Sequence, residues 1–154
     1  MPTQVPTTSE AACPPGGLKA AVGPGDAAMG LRVLALLVTN CGSTPAALSG
    51  YPRLELYDAD GNLLAVRVRH GVSTVVPDPG PKPVRLAAGE SARTDLVWRN
   101  TVLADGSTAQ TATHVAVTAP PAGRQVLALT VDVGTTGVVD VTAWHRADSA
   151  GSAS

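Results

Sequence analysis

Runs of five to nine aliphatic or β-branched residues recur along this chain. Each is closed by a cluster of Gly, Pro, Asn or Asp, and polar and apolar positions within the runs alternate with the period of a strand. Leu31 to Thr39 (LRVLALLVT) is the most apolar run, which predicts a central strand buried on both faces. Arg53 to Asp58 sets Leu54 and Leu56 on one face and Arg53, Glu55 and Tyr57 on the other. The turn residues Asp58 to Asn62 then predict a hairpin, with Leu63 to Arg69 returning antiparallel, Val66 and Val68 inward, Arg67 and Arg69 outward. Val75 to Pro83 holds prolines at 77, 79, 81 and 83 and reads as a loop or an edge cover, because proline cannot donate to a ladder. Val84 to Ala87, Ala92 to Arg99, Thr113 to Thr118, Gln125 to Val131 and Val138 to Trp144 are the remaining strands. The only window of helical length is the Ala-rich stretch Ala20 to Met29. The expectation is all-β: an immunoglobulin-like β-sandwich of about 7–8 antiparallel strands.

The boundaries follow from composition. Residues 1 to 17 are rich in Thr, Pro, Ser and Gly with no apolar period; residues 1–12 are expected to form a flexible tail, 13–146 a single domain, and 147–154 a second tail. The N-terminal stretch has neither the basic start nor the apolar core of a signal peptide, so an exported form would have lost its signal or lipobox. No apolar run approaches the roughly 20 residues of a transmembrane helix. Eleven Lys and Arg against twelve Asp and Glu, without runs of either sign, leave no electrostatic footprint for nucleic acid. Two cysteines, Cys13 and Cys41, lack the close spacing of metal or redox motifs and read as one disulfide or as two separate thiols.

Catalytic chemistry finds no motif. The bases available to a nucleophile are His70, His114 and His145, and no Ser stands in a Gly-x-Ser-x-Gly turn. The three histidines are far apart in sequence, so a metal cluster would need strand ends to converge. Asp58-Ala59-Asp60-Gly61-Asn62 resembles the start of a calcium loop, but position 69, where the bidentate Glu belongs, is Arg. Accordingly no catalytic residue, metal ligand or cofactor is assigned. The few aromatic side chains carry the remaining signal. Tyr51, between Gly50 and Pro52, reads as a corner plug with its hydroxyl bonded to backbone, and Trp98 and Trp144 are core anchors if buried; Tyr51, Trp98 and Trp144 are together the candidate partner-binding residues if exposed.

Asn40-Cys41-Gly42-Ser43-Thr44-Pro45, Leu48-Ser49-Gly50-Tyr51-Pro52, the Asp58 to Gly61 turn, Leu86 to Ala92, Val97-Trp98-Arg99-Asn100 and Val133 to Gly137 with Trp144 together resemble an actinobacterial family of exported proteins and lipoproteins, the domain of unknown function 4232. The resemblance spans roughly residues 13 to 146. It implies an immunoglobulin-like sandwich, export, and a disulfide from Cys13 to Cys41, although many relatives carry the second cysteine nearer Pro45 and Ala46. Such a bridge would tie the start of the domain to the end of its most buried strand and would place the protein in an oxidising compartment, secreted or at the cell envelope. The resemblance implies no activity. A fold grammar without a catalytic constellation points to a non-catalytic binding or adaptor module for a protein or cell-envelope partner, engaged through loops, an edge strand or the N-terminal arm. A small secreted metal- or ligand-carrier and a small hydrolase are the alternatives.

Overall fold

The computed structural model describes residues 13–71, 76, 78–120 and 123–147. The expected tails, apart from Ala147, and Val75, Pro77, Pro121 and Ala122 of the expected loops lie outside the described residues. The described chain is all-β, with eleven strands: β1 (Leu18–Ala28), β2 (Leu31–Asn40), β3 (Ala46–Leu48), β4 (Arg53–Tyr57), β5 (Arg67–His70), β6 (Val84–Leu86), β7 (Ser91–Arg99), β8 (Gln110–Thr118), β9 (Arg124–Gly134), β10 (Val138–Val141) and β11 (His145–Arg146). One sheet runs β1-β2-β7-β10-β5 with β11 also on β7; a second runs β4-β8-β9; β3 and β6 form a separate pair. Leu36, Leu96 and Val139 from the first sheet join Leu56, Val115 and Val131 from the second in one buried core, which makes the architecture a β-sandwich. On β9 the alternation is clean: Leu127, Leu129 and Val131 are buried while Ala128 and Thr130 are exposed.

Four features depart from the sequence reading. First, the Ala-rich stretch is strand β1, because its backbone pairs with β2 from Leu18↔Asn40 to Ala28↔Leu31, with a register shift between Val22 and Gly25. Second, β2 lies between β1 and β7 as expected, but it is not sealed on both faces: Leu31 to Leu34 are only half-buried. Third, the antiparallel hairpin after β4 stops at one bridge, Tyr57↔Leu63. The Asp58 turn itself forms, its Oδ1 accepting the N–H groups of Asp60 and Asn62. Leu64, Val66 and Val68 then all pack against the core, carrying the chain to the other sheet, where β5 pairs in parallel with β10. The inward valines and outward arginines are as read from the sequence; the partner strand is not. Fourth, the run Val138 to Trp144 divides at a bulge, where the Asp95 N–H donates to Thr142 Oγ1 and the Thr94 hydroxyl to the Thr142 carbonyl, before β11 resumes on β7.

Side-chain amides and hydroxyls close the sandwich where ladders end. At one edge Gln125, buried on β9, accepts the Ala20 N–H through Oε1 at 2.9 Å and donates Nε2 to the Leu18 carbonyl at 2.8 Å. One residue of the second sheet thereby serves as a strand partner for β1 of the first. Gln125→Leu would leave a buried donor and a buried acceptor unmet, with an expected loss of about 2–4 kcal/mol, measured by urea unfolding. A loss below about 0.5 kcal/mol would mean that water replaces the amide at this edge.

Candidate functional site

The two ends of the sandwich differ in chemistry. At one end, which we call the clasp end, β2, β5 and β10 terminate, and the Asn-Cys-Gly and Gly-Tyr-Pro blocks lie there. Cys13 and Cys41 are disulfide-bonded with Cα atoms 5.7 Å apart, and the Cys41 N–H donates to the Gly17 carbonyl. Asn40, 1% exposed, donates Nδ2 to the carbonyls of Thr44 and Leu86 and accepts the Gly42 N–H through Oδ1. The Gly50 carbonyl accepts the Trp144 N–H, which fixes the backbone on which Tyr51 stands.

Around Tyr51 four distant segments converge. Its half-buried ring stacks on His70 with centroids 4.4 Å apart and planes 5° from parallel. Its hydroxyl donates to Asp78 Oδ2 at 2.7 Å. Sequence reading expected backbone there; the acceptor is a carboxylate that the proline-rich segment brings back to the corner. Asp78 Oδ1 accepts the N–H groups of Gly80 and Ala143. A Cβ at Gly71 would land on Asp78 Oδ2 and the Tyr51 hydroxyl, so this crossing requires glycine there.

Burial pushes the Asp78 carboxyl upward, but the Tyr51 hydroxyl, the two N–H groups and the field of His145 outweigh it and hold it below the usual carboxylate value. The same bond, with burial and the charge of Asp78, raises the Tyr51 phenol. A depressed carboxyl contributes stability above its unfolded pKa and loses it as pH falls through the folded value. Tyr51→Phe is therefore expected to cost about 1–2 kcal/mol at pH 7 and to flatten the acid limb of the stability profile below about pH 4. Equal losses at pH 7 and pH 3 would show that the contribution of the hydroxyl does not depend on the charge of Asp78. With three donors already on its oxygens, Asp78 acts here as a latch for the corner.

The other candidates separate. Trp98 and Trp144 are 5% and 1% exposed, so neither offers a ring face to a partner; both belong to the inter-sheet core. Trp98 continues the inward face of Leu96 on β7, and its Nε1 donates to Asp132 Oδ1 at 2.9 Å. The Asp132 carboxyl is pushed up by burial but held down on balance by Trp98, Asn100 and Arg32. His114 meets the Thr113 hydroxyl and His145 the Ala143 carbonyl, each through Nδ1, while His70 stacks on Tyr51. Among the described residues no group of three or more His, Cys, Asp or Glu side chains is placed to hold a metal ion.

The opposite end, the tip end, carries features that the sequence reading passed over. The β1–β2 turn, the loop after β7 and the β9–β10 turn meet here through Asn100 N–H to Gly30 carbonyl, Thr135 N–H to Thr101 carbonyl and Leu103 N–H to Thr135 Oγ1. Met29, Val102 and Leu103 are exposed by 102%, 66% and 53%. Met29 and Gly30 both have positive φ, 50° and 84°. This is the two-residue turn that Asn-Gly usually forms, and a methionine there carries about 1 kcal/mol of backbone strain. Among the described residues it is the one non-glycine at positive φ. The Met-Gly pair between alternating runs was the available signal, hidden by the Ala-rich composition before it.

These features define the class of the domain as a two-layer, disulfide-stapled β-sandwich. Within that class the chain belongs to the family described as Domain of unknown function (DUF4232), whose profile matches residues 13–145. No curated protein and no solved structure matches the chain.

Proposed function

We propose that this protein is an exported binding module that engages a protein or cell-envelope partner through the loops of its tip end, without catalysis of its own. The observation that carries this reading is Met29: an apolar side chain held fully in solvent, in a backbone conformation that disfavours it, at the same end of the sandwich as exposed Val102 and Leu103. Strain retained at an exposed site without packing gain is a mark of function, and thioether and aliphatic side chains on loop tips suit contact with a partner. The disulfide supports export, since such bridges persist in oxidising compartments. The clasp end is unsuited to the role because its polar groups are engaged with one another.

The test is capture from the envelope and medium fractions of the producing cell, with the disulfide-bonded chain beside two variants. One is Met29→Asn with Val102→Ser and Leu103→Ser; the other is Tyr51→Phe at the clasp end. A stoichiometric partner retained by Tyr51→Phe and lost from the tip variant is the expected result. Equal retention by the tip variant would overturn the assignment.

A further inference from the structure

Resting on the tip-end reading, we infer that Met29 is a site of oxidation by peroxide-class oxidants, and that its sulfoxide switches the tip end from apolar to polar. Three observations converge. The side chain is fully exposed, so the sulfur meets oxidant without any opening of the fold. Its neighbours in the turn, Ala28 and Gly30, are too small to shelter it. It packs on nothing in the core, so the change in polarity is confined to the surface.

The chemistry balances with hydrogen peroxide as the oxygen donor. A lone pair of the thioether sulfur attacks one peroxide oxygen, the O–O bond breaks, and the departing hydroxide takes the proton left on the transferred oxygen to form water. Sulfur is oxidised by two electrons and the peroxide is reduced by two. The product carries a strong acceptor oxygen at an end where Val102 and Leu103 also expose apolar side chains. Met1 is the only other methionine and lies outside the described residues.

The experiment treats the folded, disulfide-bonded chain with hydrogen peroxide, follows each methionine by peptide mass mapping, and compares Met29 with the free pentapeptide Ala-Ala-Met-Gly-Leu. Retention on a phenyl matrix reads the apolar tip, with Met29→Gln as a polar stand-in for the sulfoxide. Oxidation of Met29 within about threefold of the peptide is expected, as for an unsheltered thioether. With Met1 in the same oxidation state in both, the chain oxidised at Met29 should elute with Met29→Gln, its thermal midpoint unchanged. Protection of Met29 by about tenfold or more, or retention unchanged by its oxidation, would overturn the inference. These readouts use the protein alone. A chain that oxidises in this way but captures no partner would sink the binding proposal and leave the site standing.

Discussion

Replacing Cys13 and Cys41 by serine is expected to lower the unfolding free energy by about 3–4 kcal/mol, the chain-entropy value for the 28-residue separation that the bridge spans. For a domain of this size that corresponds to a fall of about 10–15 °C in melting temperature. The structure explains why little else would compensate. Beyond Ala20 almost all of β1 is exposed, so its hold on the second sheet is concentrated at Leu18 and Ala20, whose side chains join the buried core and whose backbone is bonded by Gln125. The bridge fixes the lead-in to those two residues, with the Cys41 N–H on the Gly17 carbonyl beside it. Urea unfolding of the oxidised protein, the reduced protein and the double serine variant measures the effect. If all three share one midpoint, the core packing of Leu18 and Ala20 with the Gln125 bonds suffices to hold the β1 lead-in, and the bridge is dispensable to the fold.

Asn40→Asp is expected to cost about 3–5 kcal/mol at pH 7, more than its near-isosteric shape suggests. Asn40 donates through one nitrogen to two carbonyls, at 2.9 Å to Thr44 and 3.0 Å to Leu86, while its oxygen accepts from Gly42. A carboxylate keeps the last of these bonds and turns a negative oxygen toward two carbonyl oxygens at a site that is 1% exposed. Burial and those carbonyls would raise the folded-state pKa of the new carboxyl above its unfolded value. A raised folded pKa means that the loss is smallest below the unfolded pKa and grows as pH rises through the folded one. Unfolding curves of the wild type and the variant from pH 3 to pH 8 should therefore diverge with rising pH. A constant gap would show that geometry rather than charge sets the cost.

The two variants also separate what the resemblance motifs do from what the protein does. The Asn-Cys-Gly and Gly-Tyr-Pro blocks are consumed in building one end: Asn40 ties β2 to the β3–β6 pair, Gly50 holds the backbone at Trp144, and Tyr51 latches Asp78. Residues that mark a family this way record a shared fold, and fold alone carries no activity. At the tip end Met29, Val102 and Leu103 expose apolar side chains to solvent.

Local alternation determined much of this architecture before any contact was known. The inward positions of β4, the Asp58 turn and the outward arginines of β5 are legible because a strand's facing repeats every two residues and turn residues act on their own backbone. The disulfide was legible through the resemblance, with only two cysteines to pair. Tertiary structure alone decided the rest. Strand β5 abandons the hairpin for a parallel place beside β10, because burying Leu64, Val66 and Val68 takes the chain across to the other sheet, and no local period records which edge awaits it. Tyr51 meets Asp78 across 27 residues, and Gln125 meets Ala20 across 105. Trp98 and Trp144 are core and Met29 is surface for the same reason: exposure depends on what the rest of the chain brings to a position, and hydrophobicity supplies the demand for cover without saying whether cover arrives.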